Sequence, residues 1–137
     1  MKKVFIDTNI IIDLIADRKP FSKFALEIFK KAEDKKLILY TSSHSIATTH
    51  YLLKKYIDEK TIRKILINLL DYIKTIPIDE TILNQGLHSR HKDFEDALQI
   101  FCAASISKID CIITRNTKDF SFSEIPVLSP DEFCLKN

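Results

Sequence analysis

The sequence predicts an α/β fold, a three-layer α/β/α sandwich around a small, mostly parallel central sheet. Three observations predict it. The runs Val4-Phe5-Ile6, Leu37-Ile38-Leu39-Tyr40 and Cys111-Ile112-Ile113 are short and continuously apolar, the pattern of internal parallel strands covered on both faces. Longer stretches between them carry apolar residues at three- and four-residue spacing, the mark of helices that bury one stripe. Two of the strand runs end in polar clusters, Asp7-Thr8-Asn9 and Thr114-Arg115-Asn116. In open α/β sheets the functional crevice lies beyond such carboxyl ends.

Taken in order, the first strand is followed by a short helix with Ile10, Ile11, Ile12, Leu14 and Ile15, apolar almost all round and stopping near Pro20. A second helix carries Phe21, Phe24, Ala25, Ile28, Phe29 and Ala32 inward and lysines outward. Asp34-Lys35-Lys36 turns the chain into the strand 37–40. Thr41-Ser42-Ser43 then offers N-caps to a helix expected over 44–57, and Asp58 caps another whose stripe is Ile62, Ile65, Leu66, Leu69, Leu70 and Ile73. A strand is expected at Thr75-Ile76-Pro77-Ile78, at an edge because of its proline. Helices follow with Ile82, Leu83 and Leu87, and with Ala97, Leu98, Phe101, Cys102 and Ala104. After the strand at 111–113 come a last edge strand, Val127-Leu128, and a terminal helix opened by Ser129 and Pro130.

A single domain over 1–137 suits this length, and 45% hydrophobic content fills its core. The amino terminus has no secretory pattern and no apolar run reaches the length of a membrane span, so a cytoplasmic protein is expected. Three cysteines, odd in number and without C-x-x-C spacing, are expected to be reduced core residues. One glycine in the whole chain excludes a P-loop and a G-x-G-x-x-G dinucleotide site. A receiver-type phosphoacceptor needs an acid pair after its first strand, and a haloacid-dehalogenase-like phosphatase needs D-x-D; here residue 9 is Asn. The net charge of +2 is compatible with nucleic acid and no more than that.

The candidate site residues lie where strands end and helices begin. Asp7 reads equally as a helix cap and as a ligand. Asp93 suits an N-cap in Asp93-Phe94-Glu95-Asp96, whereas Asp96 borders an apolar face and can turn toward the sheet edge. Asn116 and Asp119 sit in a glycine-free loop after a buried strand. Arg90, His91, Lys92, Arg115 and Lys118 flank that region, and Arg115 and Lys118 are the candidates for phosphate contact.

These three segments, in this order and on these elements, resemble the PIN-domain family, particularly the VapC-type toxins, over essentially the whole chain. The resemblance implies a Mg²⁺- or Mn²⁺-dependent ribonuclease with Asp7 and Asp96 as metal ligands and Asn116 and Asp119 completing the catalytic set. Thr8, Asn9, Thr48, Asp93 and Thr114 are accessory candidates. Where the family carries a second and a fourth acid, this chain has Thr48 and Asn116. A weakly held metal, one ion rather than two without substrate, is therefore expected. The resemblance further implies an RNA substrate, a small antitoxin partner and a homodimer. The alternative is a PIN-like module that binds RNA or a protein with weak or lost cleavage.

Overall fold

The computed structural model describes residues 1–136. Among them the chain forms five strands: β1 (Lys2–Ile6), β2 (Leu37–Ser42), β3 (Ile73–Ile76), β4 (Cys111–Ile113) and β5 (Val127–Leu128). They build one sheet in the order β3-β2-β1-β4-β5, and every neighbouring pair is parallel. The expectation of a mostly parallel sheet thus becomes an entirely parallel one. The helices are α1 (Thr8–Ile15), α2 (Ser22–Glu33), α3 (Ser43–Leu53), α4 (Glu59–Leu69), α5 (Glu80–His88), α6 (Phe94–Ala104) and α7 (Pro130–Lys136), with a 3₁₀ turn at Thr117–Phe120.

The strands divide the apolar residues between two cores, because successive side chains of a strand point to opposite faces. Val4, Ile6, Leu37, Leu39, Cys111 and Ile113 meet α1, α2, α4 and Phe133 of α7 on one face. Phe5, Tyr40 and Ile112 meet Ile100, Cys102 and Ala103 of α6, and Phe120, on the other. Two cores on a single sheet give the three layers. Helix α5 closes on α6 at Gly86, where an added Cβ would lie 2.9 Å from Leu98 Cδ2. Burial pushes the thiols of Cys102 and Cys111 up to about 12 and about 11, as inert core residues require. Among the described residues no helix is long and apolar enough to cross a membrane.

Several boundaries differ from the sequence reading. The stripe on α4 was expected to run to Ile73, but the helix ends at Leu69 and Ile73 opens β3, opposite Leu39. Ile73 satisfies the helical period and the sheet equally, and its buried place in the ladder decides. Pro77 then lies just past the strand, at a sheet edge, where its missing N–H costs no ladder bond. Helix α3 ends at Leu53 rather than near Ile57, because the chain tightens through Tyr56 N–H to Leu53 C=O before Asp58 caps α4.

Candidate active site

The chain leaves β1 toward one side of the sheet, through β2 and β3, and occupies the other side with β4 and β5. The order therefore reverses between β1 and β4, which is where a doubly wound sheet opens its crevice. Asp7 follows β1 and Thr114 follows β4, and the Asp7 N–H extends the ladder to the Ile113 carbonyl at 3.0 Å.

Asp7 is both cap and pocket residue. It is the N-cap of α1, its Oδ1 accepting from the Thr8 N–H at 2.8 Å. The same oxygen accepts from Gln99 Nε2 at 3.0 Å, and Oδ2 accepts from Thr114 Oγ1 at 2.8 Å. Three donors fix a carboxylate that is 7% exposed. Asn9 supports the arrangement by donating to Thr114 Oγ1 at 3.4 Å and accepting from the Arg115 N–H at 3.4 Å.

Gln99 joins three elements. Its Nε2 also donates to Ser45 Oγ at 2.7 Å, while its Oε1 accepts from Ser42 Oγ at 2.6 Å. Because a carboxylate only accepts, the bond to Asp7 sets which end of the amide is nitrogen. Ser42 caps α3, and Ser45 Oγ accepts from Thr8 Oγ1 at 2.8 Å, so the starts of α1 and α3 are tied together.

Asp96 lies one turn before Gln99 on α6, its N–H held by the capping Asp93 at 3.0 Å. Its carboxyl is pushed up to about 7, first by partial burial and then by the charges of Asp93, Asp7, Asp119 and Glu95. Asp7 and Asp96 line one cavity of about 290 Å³ together with Thr8, Asn9, Thr48, Asn116 and Gln99. His44, Glu95, Ile12, Leu52 and Arg18 complete its wall. Thr48 faces this cavity half-buried, its hydroxyl 3.3 Å from His44 Nε2.

The donors at this site are carboxylate, amide and hydroxyl oxygens, the set that suits a hard cation such as Mg²⁺ or Mn²⁺. Among the described residues no group of three or more His, Cys, Asp or Glu side chains is placed to cage a metal. Two carboxylates beside room for a substrate phosphate are nevertheless the ordinary protein share of a Mg²⁺ site.

Other sequence candidates fall around this centre. Asp119, in the 3₁₀ turn, is exposed and close enough to Asp96 for its charge to be felt. Lys118 is exposed on the same turn. Arg115, expected to meet a phosphate, is instead engaged by buried Asp13, through Nε at 2.7 Å and Nη2 at 3.1 Å, and its guanidinium lies 4.1 Å from the ring centroid of Phe21. His91 is wedged edge-on between Phe101 and Phe122, with centroids 5.9 and 5.8 Å away. Sequence reasoning missed Gln99, Ser45, His44, Asp13 and Arg18. Gln99 left a signal, since it is a polar residue three positions after Asp96 inside the otherwise apolar run Ala97-Leu98-Gln99-Ile100.

Comparison with known proteins bears on the family and the fold. The family model described as the PIN domain matches residues 3–118. Ribonuclease VapC1 of Aquifex aeolicus (strain VF5) is 31% identical, over 97% of this chain and 94% of its own. A toxin-antitoxin complex from Klebsiella pneumoniae superposes with TM-score 0.62 at 28% identity, covering 93% of this chain and 97% of that one. VapBC2 from Rickettsia felis, bound to a DNA fragment from its promoter, gives TM-score 0.69 at 18% identity, covering 93% and 98%.

Proposed function

Since the chain belongs to the PIN-domain family, we propose that it is a divalent-metal-dependent ribonuclease and the toxin of a toxin-antitoxin pair. The observation that carries this reading is the meeting of Asp7 and Asp96 on one cavity at the reversal of the sheet order. The relative named as a ribonuclease favours cleavage over a module that only binds RNA or protein.

Asp7 and Asp96 would hold Mg²⁺ or Mn²⁺. When bound, such an ion supplies Lewis acidity at the scissile phosphodiester and lowers the pKa of its water. The remaining chemistry belongs to the chain. Gln99 and Thr114 keep the Asp7 carboxylate in one orientation, so none of the activation is spent on ordering it. Asn116 and Thr48 line the same cavity with groups that position water without adding negative charge. Crowding of Asp96 by four neighbouring acids is relieved when a cation enters, which couples metal binding to its ionisation.

A small antitoxin is the expected partner, and a homodimer the expected assembly. The test is cleavage of structured RNA with Mn²⁺ or Mg²⁺, with chelator, and by Asp7→Asn. Wild type should cleave only with metal, and Asp7→Asn should lose about a thousandfold, the several kcal/mol that charge stabilisation by a metal supplies. Metal-independent cleavage, or an active Asp7→Asn protein, overturns the reading.

A further inference from the structure

An acidic pocket that handles a polyanion needs a cation on its wall. Among the described residues lining the cavity of Asp7 and Asp96, Arg18 is the sole Lys or Arg. It is not a loose surface charge. Its Nε donates to Asp13 Oδ1 at 2.8 Å, and Asp13 is 1% exposed. Its backbone is held as well, the N–H donating to the Asp13 carbonyl at 3.1 Å and the carbonyl accepting from the Ser22 N–H at 2.8 Å. Asp17, with φ of 49°, makes the left-handed step that folds Arg18 back onto Asp13. Both ends of the side chain are thus accounted for: Nε is fixed, and among the described residues no partner engages the two terminal nitrogens on a side chain 45% exposed.

Asp13 distributes its two arginines unequally. It takes Arg115 by two nitrogens beside the Phe21 ring, whereas it takes Arg18, a residue lining the pocket, by Nε alone, leaving its terminal nitrogens unengaged among the described residues. Those nitrogens present paired N–H groups in the fork that matches a phosphate. A second cleft shares Ile12, Arg18 and Leu52 with the acidic pocket and continues past Lys55 and Tyr56. Arg18 therefore lies where the two clefts meet.

We propose that Arg18, anchored by Asp13, forms a phosphate subsite that binds the RNA backbone beside the scissile phosphodiester. The proposal rests on the ribonuclease reading and assigns a role that Arg115 does not fill. Asp13 is a positioning residue here, since it acts through Arg18.

The test uses anisotropy of a fluorescein-labelled, random-sequence 20-nucleotide RNA with Mg²⁺, on an Asp7→Asn background that silences cleavage. Arg18→Gln should weaken binding about tenfold. It should also reduce the slope of log affinity against log salt by about 0.7, the share of one phosphate contact to a single strand. Arg18→Lys should keep most of that slope, and Arg115→Gln should lower thermal stability with the slope unchanged. If Arg18→Gln does not fold, Arg18→Met, which keeps the apolar stem while Asp13 remains paired with Arg115, carries the same expectation. Unchanged affinity and slope in the Arg18 variants overturn the subsite and leave the nuclease reading standing. RNA that the protein neither binds nor, as wild type, cleaves overturns both.

Discussion

Gln99 Nε2 reaches Asp7 Oδ1 at 3.0 Å across ninety-two positions of sequence, and the same nitrogen reaches Ser45 Oγ at 2.7 Å. One buried amide therefore orients the carboxylate that opens the site and fixes α6 against the starts of α1 and α3. Gln99→Leu keeps the volume and removes every one of these bonds. Stability should fall by about 2 kcal/mol, because Asp7 and Ser42 lose a partner inside the fold. Cleavage should fall about 10- to 100-fold, the usual cost of losing the group that orients a metal ligand. Denaturant melts, initial rates and Mn²⁺ titration calorimetry measure the three effects, and an unchanged Mn²⁺ affinity rejects the positioning role.

Asp96 makes the apo protein sensitive to pH. Its carboxyl is raised from 3.8 to about 7 by partial burial and then by its acidic neighbours, so the native state binds the proton more tightly than the unfolded chain. Its contribution to stability is therefore present in full below about 3.8 and is lost as pH rises through about 7. In chelator, melting temperature should fall over that window, and Asp96→Asn should flatten the fall. With millimolar Mn²⁺ the dependence should reverse, since the ion competes with the proton and gains affinity as the carboxylate forms. Superimposable pH profiles of wild type and Asp96→Asn in chelator would refute this.

Thr48 lines the acidic cavity, where glutamate would add a fourth carboxylate to Asp7, Asp96 and Glu95. Without metal, Thr48→Glu should melt below wild type because like charges crowd one another. With millimolar Mn²⁺ it should gain more than wild type does. A tenfold tighter site adds about 1.4 kcal/mol, or about 4 °C in a domain of this size. Thermal scans of both proteins with chelator and with Mn²⁺ decide it, and equal metal-induced shifts remove Thr48 from the metal's reach.

Much of the fold could be read from local pattern. The runs at 4–6, 37–40 and 111–113 are apolar on both faces, which only internal strands of a covered sheet need. Asp7 and Asp96 were legible because a carboxylate at a strand end or in a first helical turn stands out against its apolar neighbours. The failures have a common cause. Ile73 fits two periods, and the choice between them is made by its sheet partner Leu39, distant in sequence. Arg115 and Arg18 are alike as cations, and which of them faces the pocket is settled by how Asp13 divides its two oxygens between them. Gln99 stands out in its apolar run, but what it does there is set by Asp7, Ser42 and Ser45, all on other elements.

The place of β1 in the middle of the sheet also governs when the site exists during synthesis. Asp7 is translated well before the distant side chains that hold it, and β1 pairs with β2, the next strand in the chain. Its other partners, Asp96, Gln99 and the Thr114 that follows β4, are translated only after residue 95. Until β4 docks against β1, Asp7 lacks the threonine that holds one of its oxygens and the glutamine that holds the other. A nascent or truncated chain ending before residue 96 carries half of an acid pair and no crevice. The order of translation thus delays completion of the acidic pocket until Thr114 has been made.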